Sequence, residues 1–189
     1  MRVITGSDGG IQIVMPRGAT DVRPTPDRVK GAIFNSLGDA VIGARVLDLY
    51  AGSGALGIEA LSRGAASATF VDVSRGCVKA IRQNLAAARV EDRATVLEGE
   101  VARALHRVVV EAPFTLVLAD PPYAKEPGRA PLAQQLLDND DLASVTAPNG
   151  WLVTEHYKND ALTPPAAWRF HRQQRHGDTL VSFFVRVAG

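Results

Sequence analysis

The stretch Val46-Leu-Asp-Leu-Tyr-Ala-Gly-Ser-Gly-Ala-Leu-Gly57 decides the fold class. A short apolar run carries Asp48 and Tyr50, breaks into glycines, and turns helical from Ala55 to Arg63. That order reads as a strand, a tight turn and a helix. A turn this sharp needs positive φ, which glycine adopts freely, and missing side chains let a ligand approach the backbone. The N–H groups of the following helix's first turn then face whatever occupies the turn. Gly52, Gly54 and Gly57 spell G-x-G-x-x-G, with Asp72 twenty positions after Gly52. Alone, these residues match a dinucleotide fingerprint, so a dehydrogenase and other nucleoside-cofactor enzymes compete here.

Outward from this turn, the chain alternates strand and helix. Strands are expected at 46–50, 68–73, 94–98, 114–119 and 151–157, with helices at 54–64, 75–89, 100–111 and about 130–143. Such alternation predicts a doubly wound α/β fold, a mostly parallel sheet with helices on both faces. Phe114-Thr-Leu-Val-Leu-Ala119 is nearly continuous in apolar residues, as a central parallel strand should be. Residues 1–44 read as an extension and 45–189 as the main domain. In the extension, Arg2 to Thr5 and Ile11 to Met15 predict a two-stranded hairpin across a glycine-rich turn. A helix follows, with Thr25 as its cap, Pro26 at its first position and Asp27 complementing its positive end. At the other end, Trp168 to Gln174 and Thr179 to Val187 predict an antiparallel hairpin across His176-Gly177-Asp178.

Composition narrows the classes. An apolar content of 46% and a charged content of 22% over 189 residues suit one globular domain with a sizeable core. A net charge of +1 excludes a strongly polybasic protein, so any nucleic-acid affinity must come from a local patch. The single cysteine, Cys77, excludes a disulfide framework and suits a reducing compartment. No leader and no membrane-length apolar run is read, so a cytoplasmic protein is expected. The four histidines show no metal-ligand spacing, and no metal is expected.

The dehydrogenase reading fails at Asp120-Pro121-Pro122-Tyr123, directly after the central strand. Ligands of a parallel α/β sheet bind at the carboxyl ends of its strands, which brings this tetrad beside the glycine turn. Asp120 can accept a hydrogen bond from an exocyclic amine. The carbonyl of Pro121, restricted by two proline rings, can accept the second hydrogen. Together they orient the nitrogen lone pair at an electrophile. Tyr123 offers a flat face for a planar base, worth ~1–3 kcal/mol by single-strand stacking. Hydride transfer to a nicotinamide needs none of this.

These residues carry a family resemblance. Asp48, the Gly52-Ser53-Gly54 turn, Asp72 and the Asp120 to Tyr123 tetrad resemble class I S-adenosylmethionine-dependent amino-methyltransferases. Within them, Leu47 to Gly64, Arg23-Pro-Thr-Pro-Asp-Arg28 and the opening Met1 to Gly6 resemble the RsmD family. That family methylates the N2 amine of a guanine in the helix 31 loop of bacterial 16S ribosomal RNA. The resemblance implies S-adenosylmethionine as cofactor and 16S rRNA, in a small-subunit assembly particle, as partner. It places Asp48, Ala51, Gly52, Ser53 and Gly54 around the methionine part. Asp72 would meet the ribose, Val73 would pack on adenine, and Glu100 beside Val101 would receive the adenine amine. Glu98 competes with Glu100 for that last role. Asp120 to Tyr123 would hold the target base, and Arg23 and Arg28 would meet the cofactor carboxylate or an RNA phosphate.

Other readings stand beside these. Asp72 could cap the next helix, and Arg23 and Arg28 could pair with Asp21 and Asp27 on the surface. Family members usually carry basic residues in the first hairpin turn, where this chain has Ser7-Asp8-Gly9-Gly10. Arg169, His171, Arg172 and Arg175 offer an alternative basic surface. The target could instead be a DNA base or a protein glutamine, or the chain a non-catalytic cofactor-binding assembly factor.

Overall fold

The computed structural model describes residues 2–16, 25–123 and 130–188. Its centre is a seven-stranded sheet: β1 Arg45–Leu49, β2 Ser67–Asp72, β3 Ala94–Glu98, β4 Phe114–Ala119, β5 Thr146–Tyr157, β6 Trp168–His176 and β7 Thr179–Arg186. The spatial order is β3-β2-β1-β4-β5-β7-β6. The first five run parallel, and β7 pairs antiparallel with both β5 and β6. Order reverses between β1 and β4, the crevice where such sheets take ligands. The helices are α1 Asp27–Leu37, α2 Ala55–Ser62, α3 Arg75–Ala88, α4 Val101–Val108, α5 Leu132–Leu137 and α6 Asp140–Val145.

Strand periodicity divides the core in two. Val46, Leu116, Leu118, Val153 and Phe183 face one side, with Ile33, Phe34, Ile58, Leu61 and Ile81 from the first three helices. Leu47, Leu49, Val117, Leu152 and Phe184 face the other, against Leu105, Val108, Leu137 and Leu142. Cys77 is simply buried on α3. Among the described residues, no helix is long and apolar enough to cross a membrane.

Three local expectations are corrected. The helix expected over 130–143 is two, because Asn139 turns its side chain onto the N–H groups of Asp141 (2.9 Å) and Leu142 (3.2 Å) and starts α6 afresh. Strand β5 begins at Thr146 rather than Trp151. The N-terminal hairpin is shorter than expected: an antiparallel bridge of Arg2 to Gln12, with the Val3 N–H donating to the Ile11 carbonyl (2.9 Å) and the Gly10 N–H to the Val3 carbonyl (2.9 Å). Beyond that pairing its backbone is engaged elsewhere: Ser7 donates to the Ser62 carbonyl (3.0 Å), and Val14 exchanges bonds of 2.8 and 2.9 Å with the Asn84 amide. Gly6 lies so close to α2 that a Cβ there would stand 1.9 Å from the Ser62 carbonyl oxygen.

Glu59 of α2 anchors this segment. Fully buried, it accepts from the Ile4 N–H (2.7 Å), the Thr5 N–H (3.2 Å) and Arg63 Nε (2.8 Å), and lies 3.3 Å from the equally buried Lys30 Nζ. Lys30 Nζ also donates to the Arg2 carbonyl. Glu59→Ala leaves the buried Lys30 charge without its carboxylate and the Ile4 and Thr5 N–H groups without their acceptor. It should lower stability by about 3–5 kcal/mol, the cost of breaking a buried ion pair. Denaturant unfolding checks this; a loss under about 1 kcal/mol would contradict the anchoring role.

Candidate active site

The glycine turn is held from below by carboxylates. Gly52 and Gly54 adopt φ of 58° and 77°, and Tyr50, just before them, is also left-handed at 56°. The Gly52 N–H donates to Asp72 Oδ2 at 2.8 Å, and the Ser74 N–H donates to Asp72 Oδ1 at 2.8 Å. Asp72 therefore ties the turn to the end of β2. Asp48 accepts from the Gly57 N–H at 2.9 Å, and Asn84 Nδ2 donates to the Ser53 carbonyl at 2.9 Å. Gly57 serves packing: a Cβ there would lie 2.3 Å from the Phe70 ring and 3.0 Å from Asp48 Oδ2. Burial raises the Asp48 carboxyl well above the usual carboxylate range; Asp120 and Asp72 add repulsion, and the Gly57 N–H opposes the rise.

The residues expected around a cofactor distribute along these strand ends. Ala51 closes the turn, its N–H bonded to the Val71 carbonyl (3.1 Å) and its carbonyl to the Gly54 N–H (2.7 Å). Val73, one residue past Asp72, leaves 65% of its surface open. Glu98 stands opposite Asp72 in the β2–β3 register and pairs with Arg75 at 3.1 Å. Glu100 is exposed at the start of α4, 3.6 Å from Arg103 Nε. Val101 lies in the core with Leu49 and Val71, so packing decides its position. Arg28 is exposed on α1, and Asp27 lies 4.0 Å from Lys30 Nζ. Arg23 and most of the Ala124 to Pro131 loop fall outside the described residues.

Asp120 follows β4 on the other side of β1. Part of its surface is open, while enough protein surrounds its carboxyl that burial pushes it up to about 6. Its partner is Thr25, whose hydroxyl donates to Asp120 Oδ2 at 3.1 Å. This corrects the reading of Thr25 as a helix cap. Pro26 occupies the cap position of α1 and Asp27 its first turn, which frees Thr25 for the site. Pro121 is buried and Pro122 exposed. The Tyr123 hydroxyl bonds Thr179 Oγ1, and its ring lies 5.9 Å from Tyr157 at 48°.

Sequence reasoning passed over Glu155. It lies in β5, next to the residue paired with Ala119, and so beside Asp120. It is 5% exposed, and burial and the Asp120 charge push its carboxyl up to about 8. An acid among the apolar residues of a strand neighbouring the tetrad's own strand was the signal. The C-terminal basic surface is also smaller than expected. Arg172 lies 4.9 Å from the Phe183 ring centre and donates to the Ser36 carbonyl, so it holds β6 against α1. Arg169, His171 and Arg175 are exposed on the edge strand. Among the described residues no cluster could hold a metal ion.

The family model described as "Conserved hypothetical protein 95" matches residues 1–185. Ribosomal RNA small subunit methyltransferase D of Escherichia coli is 31% identical over 195 residues, covering 100% of this chain and 91% of that protein. This chain belongs to that methyltransferase family. Within the family, Bacillus subtilis YlbH is 40% identical over 157 residues, 82% of each chain. The solved structure of yhhF from Escherichia coli superposes with a TM-score of 0.83 at 32% identity, over 100% of this chain and 99% of that one. The fold is that of class I S-adenosylmethionine-dependent methyltransferases, completed by the antiparallel strands β6 and β7.

Thr25 has a measurable effect on Asp120. Its hydroxyl stabilises the ionised carboxyl, so Thr25→Val should move the Asp120 midpoint upward from about 6. Carboxyl-carbon NMR titration checks this; an unchanged or lower midpoint would remove Thr25 from the site.

Proposed function

We propose that this chain transfers a methyl group from S-adenosylmethionine to the exocyclic N2 amine of a guanine in the helix 31 loop of 16S rRNA. One observation carries the reading. A partly open carboxyl, Asp120, and a proline-restricted carbonyl follow the strand beside a glycine turn that Asp72 and Asp48 hold from below.

The residues present suit the cofactor. Left-handed Gly52 and Gly54 carry no side chains into the turn, and Val73 offers an uncovered apolar face beyond Asp72. Gly52, Ser53 and Gly54, with Asp48 and Ala51 behind them, would line the methionine part. Asp72 keeps lone pairs for the ribose beyond its two backbone bonds. Glu100 or Glu98 would receive the adenine amine, with Val101 packed beneath. Arg23 and Arg28 would meet the cofactor carboxylate or an RNA phosphate. S-adenosylmethionine supplies a methyl already activated on a sulfonium.

The chain's own task is positioning. The Asp120 carboxylate accepts one hydrogen of the amine and the Pro121 carbonyl the other, leaving the lone pair facing the methyl. Methylation leaves the nitrogen cationic and acidic, so its proton passes readily to the adjacent Asp120 carboxylate or to water and a strong base is unnecessary. Tyr123 stacks on the base, which must be splayed from its neighbours, and a loop nucleotide suits that requirement. The partner is 16S rRNA in a small-subunit assembly particle in the cytoplasm. Arg169, His171 and Arg175 on β6 suit contact with RNA phosphate.

Transfer of labelled methyl to small subunits, protein-free 16S RNA and duplex DNA, followed by nucleoside digestion, tests this. Label should appear in N2-methylguanosine from a ribosomal substrate; label elsewhere, or none, overturns the reading. Asp120→Ala should abolish turnover and leave cofactor binding by calorimetry nearly unchanged. Because Asp120 acts ionised, kcat/KM should be lost as pH falls through about 6. A rate that holds constant below that pH would count against a carboxylate clamp.

A further inference from the structure

Glu155 presents a buried acid that the mechanism above leaves unused. Its Oε1 is enclosed and has no hydrogen-bond partner among the described residues. A buried carboxyl oxygen in that state is costly unless something else supplies a partner. Glu155 lines a cleft together with Pro121, Pro122, Tyr123 and His156. His156 is engaged with Ser182 Oγ at 2.8 Å and so competes little for Oε1. Glu155 thus shares a narrow cleft with three of the four tetrad residues, and it lies beside the fourth, Asp120, across β4 and β5.

The chemistry of a guanine edge matches this arrangement. Guanine offers three adjacent N–H donors, two on N2 and one on N1, whereas adenine and cytosine present an acceptor at the corresponding ring nitrogen. Asp120 and the Pro121 carbonyl account for the two N2 hydrogens. We propose that Glu155 is a specificity-determining residue whose Oε1 accepts the N1–H of the target guanine. This rests on the guanine reading above and adds the group that would tell guanine from other amino-bearing bases.

The surroundings support an acceptor with no second charge. Burial beside Asp120 keeps the Glu155 carboxyl protonated up to about pH 8, which avoids two adjacent carboxylates. The Thr25 hydroxyl bears on both acids, donating to Asp120 at 3.1 Å. Oε1, the Glu155 oxygen that meets no donor among the described residues, is left as the acceptor for the base. The cleft is narrower than a purine in this structure, so its lining side chains must move for a base to reach Oε1.

The test uses small-subunit particles reconstituted from RNA with guanine or 2-aminopurine at the methylated position. The analogue keeps the 2-amine but presents an acceptor at N1. Wild-type enzyme should prefer guanine by about 10- to 100-fold in kcat/KM, as expected for a well-placed base-edge contact. Glu155→Leu should reduce that preference to within about threefold, mainly by slowing guanine. Glu155→Gln should keep guanine turnover and narrow the preference, because its amide can turn an N–H toward the analogue. Cofactor affinity should not change in either variant, and the Gln variant remains informative if the Leu variant misfolds. If the folded variants keep the wild-type ratio, or wild-type enzyme shows no preference, the proposal is overturned. Failure of wild-type enzyme to label guanine would instead sink the functional reading itself.

Discussion

Carboxyl groups at the ends of neighbouring parallel strands, and the donors that satisfy them, are the constraint on which this site depends. Glu98, Asp72, Asp48 and Glu155 lie in, and Asp120 directly after, five strands that lie side by side. Asp72 is satisfied by two backbone N–H groups, from Gly52 and Ser74, and Asp48 by the Gly57 N–H in the first turn of α2. Asp120 has a single hydroxyl donor, and Glu155 Oε1 has none among the described residues. Satisfaction by the protein thus declines from the glycine turn toward the tetrad. The well-satisfied acids build the loop; the poorly satisfied ones remain available to a bound molecule.

This concentration of acid works against stability as pH rises. A carboxyl whose folded proton affinity exceeds its ordinary value favours the folded state less once it ionises. For Asp120 the loss runs between pH 3.8 and about 6, and for Glu155 between 4.5 and about 8. The protein retains these groups where apolar residues would pack more favourably. Function is the natural counterweight, since an acceptor aimed at a ligand must be left incompletely paired beforehand.

Local patterns were legible in the sequence and tertiary approach was not. The glycine turn, the alternation of elements and the Asp120 to Tyr123 tetrad depend on residues within a few positions of one another, so spacing alone exposes them. The C-terminal hairpin likewise follows from two strand patterns around a short turn. The N-terminal hairpin forms but stays short, because Glu59, Ser62 and Asn84 take up the neighbouring backbone groups that would extend it. Asn139 interrupts a helical pattern through a side-chain bond that periodicity does not register. Thr25 has the composition of a helix cap, and its true partner is far along the chain. Glu155 looks like an ordinary strand residue until β4 and β5 are seen side by side.

That separation bears on how the molecule assembles. Thr25 and Asp120 are 95 residues apart in sequence, and Ile4 and Glu59 are 55 apart. Loops of that length close late, after local turns and helices have formed. A chain synthesised from its amino end therefore makes its first segment well before the surfaces that receive it. Val3 and Ile13, both buried in the finished protein, wait in water for α2 and α3. The sheet can acquire its strand order while Asp120 still lacks its hydroxyl partner. The contact that completes Asp120 is thus a long-range closure, made across 95 residues rather than within one turn or helix.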